Sequence, residues 1–565
     1  MGARTQADMS VVGPLCRGKM TAQPTVLQPL SLAARQGLDA ARALGQAGRL
    51  LEAEASYRSV LAREPGVVQA AVALARLLTA SGRAAETEAL LSPFVEGPAP
   101  WPEALSARAA ARKACGRKAE ALADYALAAR LNPKSGVAAH NVASGLGDAG
   151  RDREAAAECE RAFALGLDAP ETWLVYGRAL QGLCRFDAAE QAFAQALQRR
   201  PAYPEAVRDL GQLIWMRSGQ ADLALAPIEA ALAGAPPPMR PALAAVKIRL
   251  LHHIAGEDAA LAFAQTALAQ APEDSRLALE TAALLLARDP ERSRALCAQV
   301  VARNPAEPSA RQALAHAWLA LGEADQAAAI AQALLAERPF DQEAAAALAT
   351  AWRLAGDRRY RELWDYEALV GVDTLDTPPG WTSLAAYLED LRGALHDLHQ
   401  LSAHPIEQSL RGGAQTPQNL RASENPVIAA FFQGIEGPLA AYRRAVGQGP
   451  DLFRVRNRGG DHVVGAWSAR LQPHGFHVDH IHPQGWISAV CYIEVPAAVG
   501  QGEDRAGWLR FGAPPIPTRP SLAAEHYVRP EPGRLAFFPS YMWHGTVPFG
   551  GDQPRMTIAF DIAPD

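Results

Sequence analysis

An α-helical repeat solenoid followed by an all-β domain with a helical lead-in is the fold the sequence predicts. Three observations predict it. Glycines recur every 34 residues, at Gly48, Gly82, Gly116 and Gly150, and again at Gly322 and Gly356. Near residue 375, at DTPPGWTS, the alanine-rich helical period stops. Beyond 450 the chain turns to short alternating apolar runs divided by proline and glycine, the texture of strands and turns.

At 565 residues the chain is too long for a single core, so a repeat array plus at least one further domain is expected. It is 49% hydrophobic and 20% charged, with a formal net charge of −5. That balance gives no general pull toward nucleic acid or an anionic membrane, and no apolar run approaches the length of a bilayer. The six cysteines, Cys16, Cys115, Cys159, Cys184, Cys297 and Cys491, form no CxxC pair. Isolated thiols fit a reducing compartment, so the expected location is the cytoplasm, and they support no cysteine-ligated zinc site. Residues 1–33 lack an apolar core ahead of a small-residue cleavage site and read as a disordered tail, with Met20 as an alternative start.

Each 34-residue unit reads as a helix pair. Glycine takes the tight turn between the helices, and a proline such as Pro65, Pro133, Pro201, Pro305 or Pro339 stops the second one. The clearest copy is ETWLVYGRALQGLCRFDAAEQAFAQALQRRP, with Trp173, Gly177, Ala189, Phe193, Ala196 and Pro201. Small residues there let two helices approach, and aromatics fill the space between neighbouring pairs. This spacing resembles the tetratricopeptide repeat over residues 34–375, roughly nine or ten units. The resemblance implies a curved surface for a protein or peptide partner and names none. The last unit, DQEAAAALATAWRLAGDRRYRELWDYEALVG, ends in charged and aromatic residues suited to capping the array. Trp173, Phe193 and the pair His252-His253 read as packing.

Residues 376–450 read as helices around WTSLAAYLEDLRGALHDLHQL and NPVIAAFFQGIEGPLAAYRRAV, joined by the polar loop HPIEQSLRGGAQTPQNLRASE. Across 451–565 the runs GAWSARLQP, GWISAVCYIEVP, GWLRFGAP, GRLAFFPS and RMTIAFDIAP predict strands of a sandwich or barrel.

The chemistry concentrates in this last region. Seven of the fourteen histidines lie between 462 and 544, less than one sixth of the chain. The stretch GFHVDHIHPQGWISAVCYI offers two overlapping pairs, His480/His482 and His477/Asp479. Residues two apart on a strand share a face, so either pair can converge on one ion. A third histidine from a distant strand then completes a facial set with open positions. His544, in FFPSYMWHGTVPFGGDQPRMTIAFD, is the natural third ligand. The next strand opens with Arg555 and carries Thr557 on the same face, expected beside His544 on a neighbouring strand, where the guanidinium offers a fork to a carboxylate. His462, His474 and His526 read as surface or core side chains. Trp486 and Trp543 read as packing, and Cys491, out of phase with Tyr492, as structural.

On these motifs residues 450–565 resemble the 2-oxoglutarate and Fe(II)-dependent oxygenases, enzymes built on a double-stranded β-helix, or jelly roll. In that superfamily an HxD or HxE pair and a distal histidine hold iron, and Arg-x-Ser/Thr on a later strand grips 2-oxoglutarate. The run HIHPQGWISAVCYIEVP followed by FPSYMWHGTVPF is most similar to a bacterial and phage subfamily with an HxHP motif. That resemblance implies His480, His482 and His544 as metal ligands, while the superfamily at large implies His477 and Asp479 as the alternative proximal pair. It further implies Arg555, Thr557 and Tyr492 as groups toward 2-oxoglutarate, with Fe(II) as cofactor and O2 as co-substrate. The product would be a hydroxylated C–H bond, and a peptide held by the solenoid would suit as substrate. The segment HPIEQSLRGGAQT resembles one that precedes the barrel in such proteins. Two other readings use the same residues. A cupin-like protein would hold zinc or another divalent ion on the three histidines with no 2-oxoglutarate. A repeat scaffold would keep the β domain for binding alone. Arg555 has no purpose in the first, and the intact His480, His482, His544 and Arg555 speak against the second.

Overall fold

The computed structural model describes residues 30–499 and 504–565. Most of the tail expected over residues 1–33 therefore lies outside the described residues. Helix pairs succeed one another from Leu32–Gln46 to Ala324–Glu337, nine pairs among the described residues, followed by the unpaired helix Gln342–Leu354. The periodic glycines sit where the expectation placed them. Gly48, Gly82, Gly116 and Gly150 have φ of 76°, 76°, 79° and 69°, a left-handed conformation that side chains with a Cβ resist. Small residues act inside the pairs too: a Cβ on Gly177 would lie 2.5 Å from Phe193 Cε1, so the bare backbone is what lets that ring lie between the two helices.

The chain forms two compact units, divided after Gly145. In the first, Leu38, Tyr57, Val60, Leu74 and Leu78 build one apolar cluster and Leu91, Phe94 and Leu105 a second. The second unit, Leu146–Asp565, holds the helices from Asp152–Ala164 onward and the β domain.

Nine strands make the β domain: β1 Gly371–Thr374, β2 Leu410–Gln415, β3 Asp461–His477, β4 Ile487–Glu494, β5 Leu509–Phe511, β6 His526–Val528, β7 Arg534–Pro539, β8 His544–Thr546 and β9 Arg555–Pro564. Six form an antiparallel sheet in the order β1-β7-β4-β9-β3-β2, and three a second sheet in the order β6-β5-β8. Period-two alternation sorts the side chains of β9. Met556, Ile558, Phe560 and Ile562 are buried in a core shared with the helices Leu384–Leu398 and Pro426–Gly434. Arg555, Thr557, Ala559 and Asp561 take the opposite face, toward the second sheet, and Arg555 donates to Thr546 on β8. Tyr492 is in register with Thr557 and Ser488 with Asp561, so β4 adds those two side chains to the same face.

The array does not end in a cap of its own charged and aromatic residues, as its sequence suggested. Every residue from Ala344 to Ala351 is buried, the signature of a helix covered on all sides. The helices Pro308–Leu321 and Ala324–Glu337 cover one side and the β domain covers the other. Trp543 Nε1 donates to Thr350 Oγ1 at 2.9 Å, and Arg353 donates to Gly512 O and Ala523 O, each at 2.8 Å. Tyr360, Arg361 and Tyr366, the would-be cap, all bond Glu525. Among the described residues no helix is long and apolar enough to cross a membrane.

Candidate metal centre

Strand β3 ends at His477, and the chain then runs irregularly to Trp486. His480 is therefore not on a regular strand, contrary to the alternation that suggested the pair. It is held instead by an isolated bridge to His544: His480 N donates to His544 O at 2.9 Å, and His544 N donates to His480 O at 3.1 Å. His482 is anchored by its own N–H to Ser540 O at 3.0 Å. The result brings three imidazoles together. One nitrogen from each of His480, His482 and His544 lies within 4.8 Å of the others, and among the described residues no other set of histidine, cysteine and carboxylate groups does this.

The hydrogen bonds fix the tautomers. His480 Nδ1 faces Val478 O at 2.8 Å, His544 Nδ1 faces Met542 O at 2.9 Å, and His482 Nδ1 faces Asp561 Oδ1 at 2.6 Å. Each partner only accepts, so each Nδ1 carries the proton and each Nε2 presents a lone pair. His480 Nε2 and His482 Nε2 then point at each other across 3.2 Å. Two acceptors so placed repel unless a cation lies between them. Bonds of about 2.1 Å to one metal ion, roughly at right angles, separate two imidazole nitrogens by about 3 Å. The donor set thus fits a divalent ion. Burial, reinforced by the neighbouring His482, pushes the His480 pKa down to about 3, and burial with the crowding of His480 holds His544 far below its usual range. Both favour the neutral, ligating form.

The alternative proximal pair is engaged elsewhere. Asp479 lies in the fork of Arg510, with Nε to Oδ1 at 2.9 Å and Nη2 to Oδ2 at 2.5 Å. Its burial raises the carboxyl pKa, and Arg510 works against that rise. His477 Nδ1 is 3.0 Å from Ser409 Oγ, and the same hydroxyl is 3.2 Å from His480 Nε2. The structure thus brings His480, His482 and His544 together and leaves His477 beside them, with Asp479 in an ion pair.

Arg555 sits across the sandwich from His544, not on a hydrogen-bonded neighbour, because β8 and β9 belong to different sheets. It is 3% exposed, donates to Gly507 O at 2.5 Å and Thr546 Oγ1 at 3.3 Å, and its buried Nε has no partner. Among the described residues no acidic side chain pairs with it. A buried guanidinium without a counter-ion fits a bound carboxylate, because an unpaired buried charge is costly. The Tyr492 ring centroid is 5.5 Å from the guanidinium carbon, and Tyr492 and Thr557 are both buried. Trp486 donates to Phe453 O and Trp543 to Thr350, so both indoles serve packing. His462 meets Asp565 at the surface, and His526 stacks on Tyr366 at 5.5 Å. Exposed His474 also stays outside the cluster.

Two partners of the cluster had no sequence motif. Asp561 is in phase with Arg555 and Thr557 on β9, a period-two signal that could have found it. Ser409 had none, because its place is set by tertiary docking. Its segment lies on the solenoid. Ser402 N and Ala403 N donate to Met216 O, Trp215 Nε1 donates to His404 O at 3.1 Å, and Glu407 N donates to His253 Nε2 at 3.1 Å. Ile406 is buried among Val207, Ile228 and Leu250.

Residues 465–561 match a family described as "Putative 2OG-Fe(II) oxygenase", and residues 284–351 match a family described as "Tetratricopeptide repeat". No curated protein matches the chain. Similar solved structures include a chain of the APC/C hetero-tetramer Cut9-Hcn1, at 17% identity and TM-score 0.32, with 47% of this chain and 52% of that chain covered. This chain thus spans about half the length of that one. A tetratricopeptide repeat protein from Parabacteroides merdae matches at 16% identity and TM-score 0.30, covering 50% of this chain and 97% of that one. MamA matches at 19% identity and TM-score 0.26, covering 30% and 93%.

Proposed function

We propose that this protein is a 2-oxoglutarate- and Fe(II)-dependent oxygenase that hydroxylates a protein or peptide, with residues 451–565 as its catalytic domain. The observation that carries the proposal is the pair of Nε2 lone pairs, on His480 and His482, facing each other beside His544 with every Nδ1 already bonded. His480, His482 and His544 would hold the metal on one face. Iron with 2-oxoglutarate and O2 supplies the oxidising power for C–H hydroxylation, yielding succinate and carbon dioxide.

The chain's own residues do the rest. Arg555 offers the far carboxylate of 2-oxoglutarate a buried cation, and charge-assisted bonds of this kind are about twice as strong as neutral ones. Tyr492 and Thr557, on the same face, would add hydroxyl contacts to that end. Arg555, Tyr492 and Thr557 are each buried, which keeps bulk water from the clamp and strengthens its field. The repeat array would present the substrate.

A zinc-binding, cupin-like reading is favoured by one feature, the neutral three-histidine donor set. Arg555 weighs against it. One assay separates the two: purified protein with Fe(II), 2-oxoglutarate and air should release succinate even without the primary substrate, slowly, and His482→Ala should not. No succinate above the variant's background, with zinc bound tightly instead, would overturn the oxygenase reading.

A further inference from the structure

Three neutral imidazoles give a metal no anionic ligand, yet a carboxylate stands directly behind one of them. Asp561 Oδ1 accepts from His482 Nδ1 at 2.6 Å and from Ser488 Oγ at 2.7 Å, and Ser488 Oγ is 2.9 Å from Ser540 Oγ. Asp561 lies opposite Ser488 on β4 and Gly465 on β3, so the sheet register fixes it. Space for the network comes from Gly485, where a Cβ would fall 2.3 Å from Ser540 Oγ. The carboxylate meets the edge of the ring opposite Nε2 and is itself no ligand.

We propose that Asp561 is a positioning residue that supplies, through His482, the negative charge the ligand set lacks. This rests on the metal-site reading above. By accepting the Nδ1 proton the carboxylate fixes the His482 ring and raises the basicity of Nε2, and such partners are worth about 10- to 100-fold in metal affinity. Ser488 donates to the same Oδ1 and so competes with His482 for it, with Ser540 Oγ 2.9 Å behind the Ser488 hydroxyl.

The test is Co(II) titration of the full-length protein under anaerobic conditions, followed by its visible absorption. Asp561→Asn keeps volume and the acceptor oxygen but removes the charge. Its Co(II) affinity should fall about 10- to 100-fold, with a shifted absorption and an unfolding midpoint of the metal-free protein unchanged from wild type. An affinity within two-fold of wild type would overturn the proposal. Ser488→Ala guards against a variant that fails to fold. It removes a competing donor from Oδ1, so Co(II) binding should be unchanged or tighter, and a ten-fold loss would show that the network acts through packing alone. Wild-type protein that takes up no Co(II) removes the metal centre itself, and the inference with it. Wild-type binding matched by Asp561→Asn removes the inference only.

Discussion

His480 and His544 exchange both main-chain hydrogen bonds, at 2.9 and 3.1 Å, and their ring centroids lie 4.2 Å apart. The contact between two distant parts of the chain is therefore made by backbone, and the side chains inherit it. An arrangement fixed this way does not depend on a bound ion. Substituting a ring should remove a ligand without opening the bridge.

Accordingly, His480→Ala, His482→Ala and His544→Ala should each abolish tight binding of Fe(II) or Co(II) while the metal-free protein keeps its circular dichroism. His477→Ala, which loses the contact to Ser409 and the stacking on His480 but none of the three clustered imidazoles, should bind within a few-fold of wild type. Metal content after anaerobic loading and desalting reads this directly. Loss of metal in His477→Ala with retention in His482→Ala would transfer the site to the other pair.

Asp479 gives a sharper version of the same contrast. It is 9% exposed and doubly bonded to Arg510, whose side chain is 28% exposed. Asp479→Asn should leave metal affinity within about three-fold and lower stability by about 1–3 kcal/mol, the cost of a broken buried pair reduced because Arg510 reaches solvent. Denaturant unfolding and metal titration of one preparation measure both.

The docked segment that carries Ser409 should respond to its anchor. Ile406 is 3% exposed in a pocket of solenoid side chains. Truncating a buried isoleucine to alanine costs about 2–5 kcal/mol, and here the cost falls on local opening. In Ile406→Ala, amide exchange over residues 402–411 should quicken while the helices Pro204–Ser218 and Arg240–Ile254 keep wild-type protection. Uniform acceleration across both helices would show that the segment is structural to the array.

Acid should weaken the fold through buried neutral histidines. His399, at the end of Leu384–Leu398, is 7% exposed with Nε2 2.9 Å from Ser468 Oγ, and burial pushes its pKa down to about 3. Unfolded, it returns to about 6.5. Between these values the unfolded chain holds the extra proton, so this stability is intact above pH 6.5 and lost as pH falls toward 3. His399→Gln should flatten the fall of the denaturation midpoint between pH 6 and pH 4. An unchanged pH slope would contradict the assignment.

What the sequence made legible followed local rules. A glycine at positive φ every 34 residues is a backbone requirement written in single letters, and the His544-to-Arg555 spacing marks two consecutive strands. Pairings decided by tertiary contact were not legible. LRGGAQ carries two glycines and no β-branched residue, yet becomes β2 because β3 offers it a ladder. His480 escapes the strand pattern because a bridge to β8, not a continuous strand, places it. Asp479 reads as a ligand until Arg510, thirty-one residues on, claims it. Ser409 reaches the cluster only because its segment packs on two solenoid helices.

Joint binding of iron and 2-oxoglutarate is the core of the proposed function, and anaerobic absorption spectroscopy tests it most directly. Adding Fe(II) and 2-oxoglutarate together should produce a weak visible charge-transfer band that neither gives alone. The band should vanish in His482→Ala. In Arg555→Ala it should need at least ten-fold more 2-oxoglutarate, since a lost charge-assisted bond costs about 1.5–3 kcal/mol. Absence of the band in wild-type protein shown to bind Fe(II) would contradict the account.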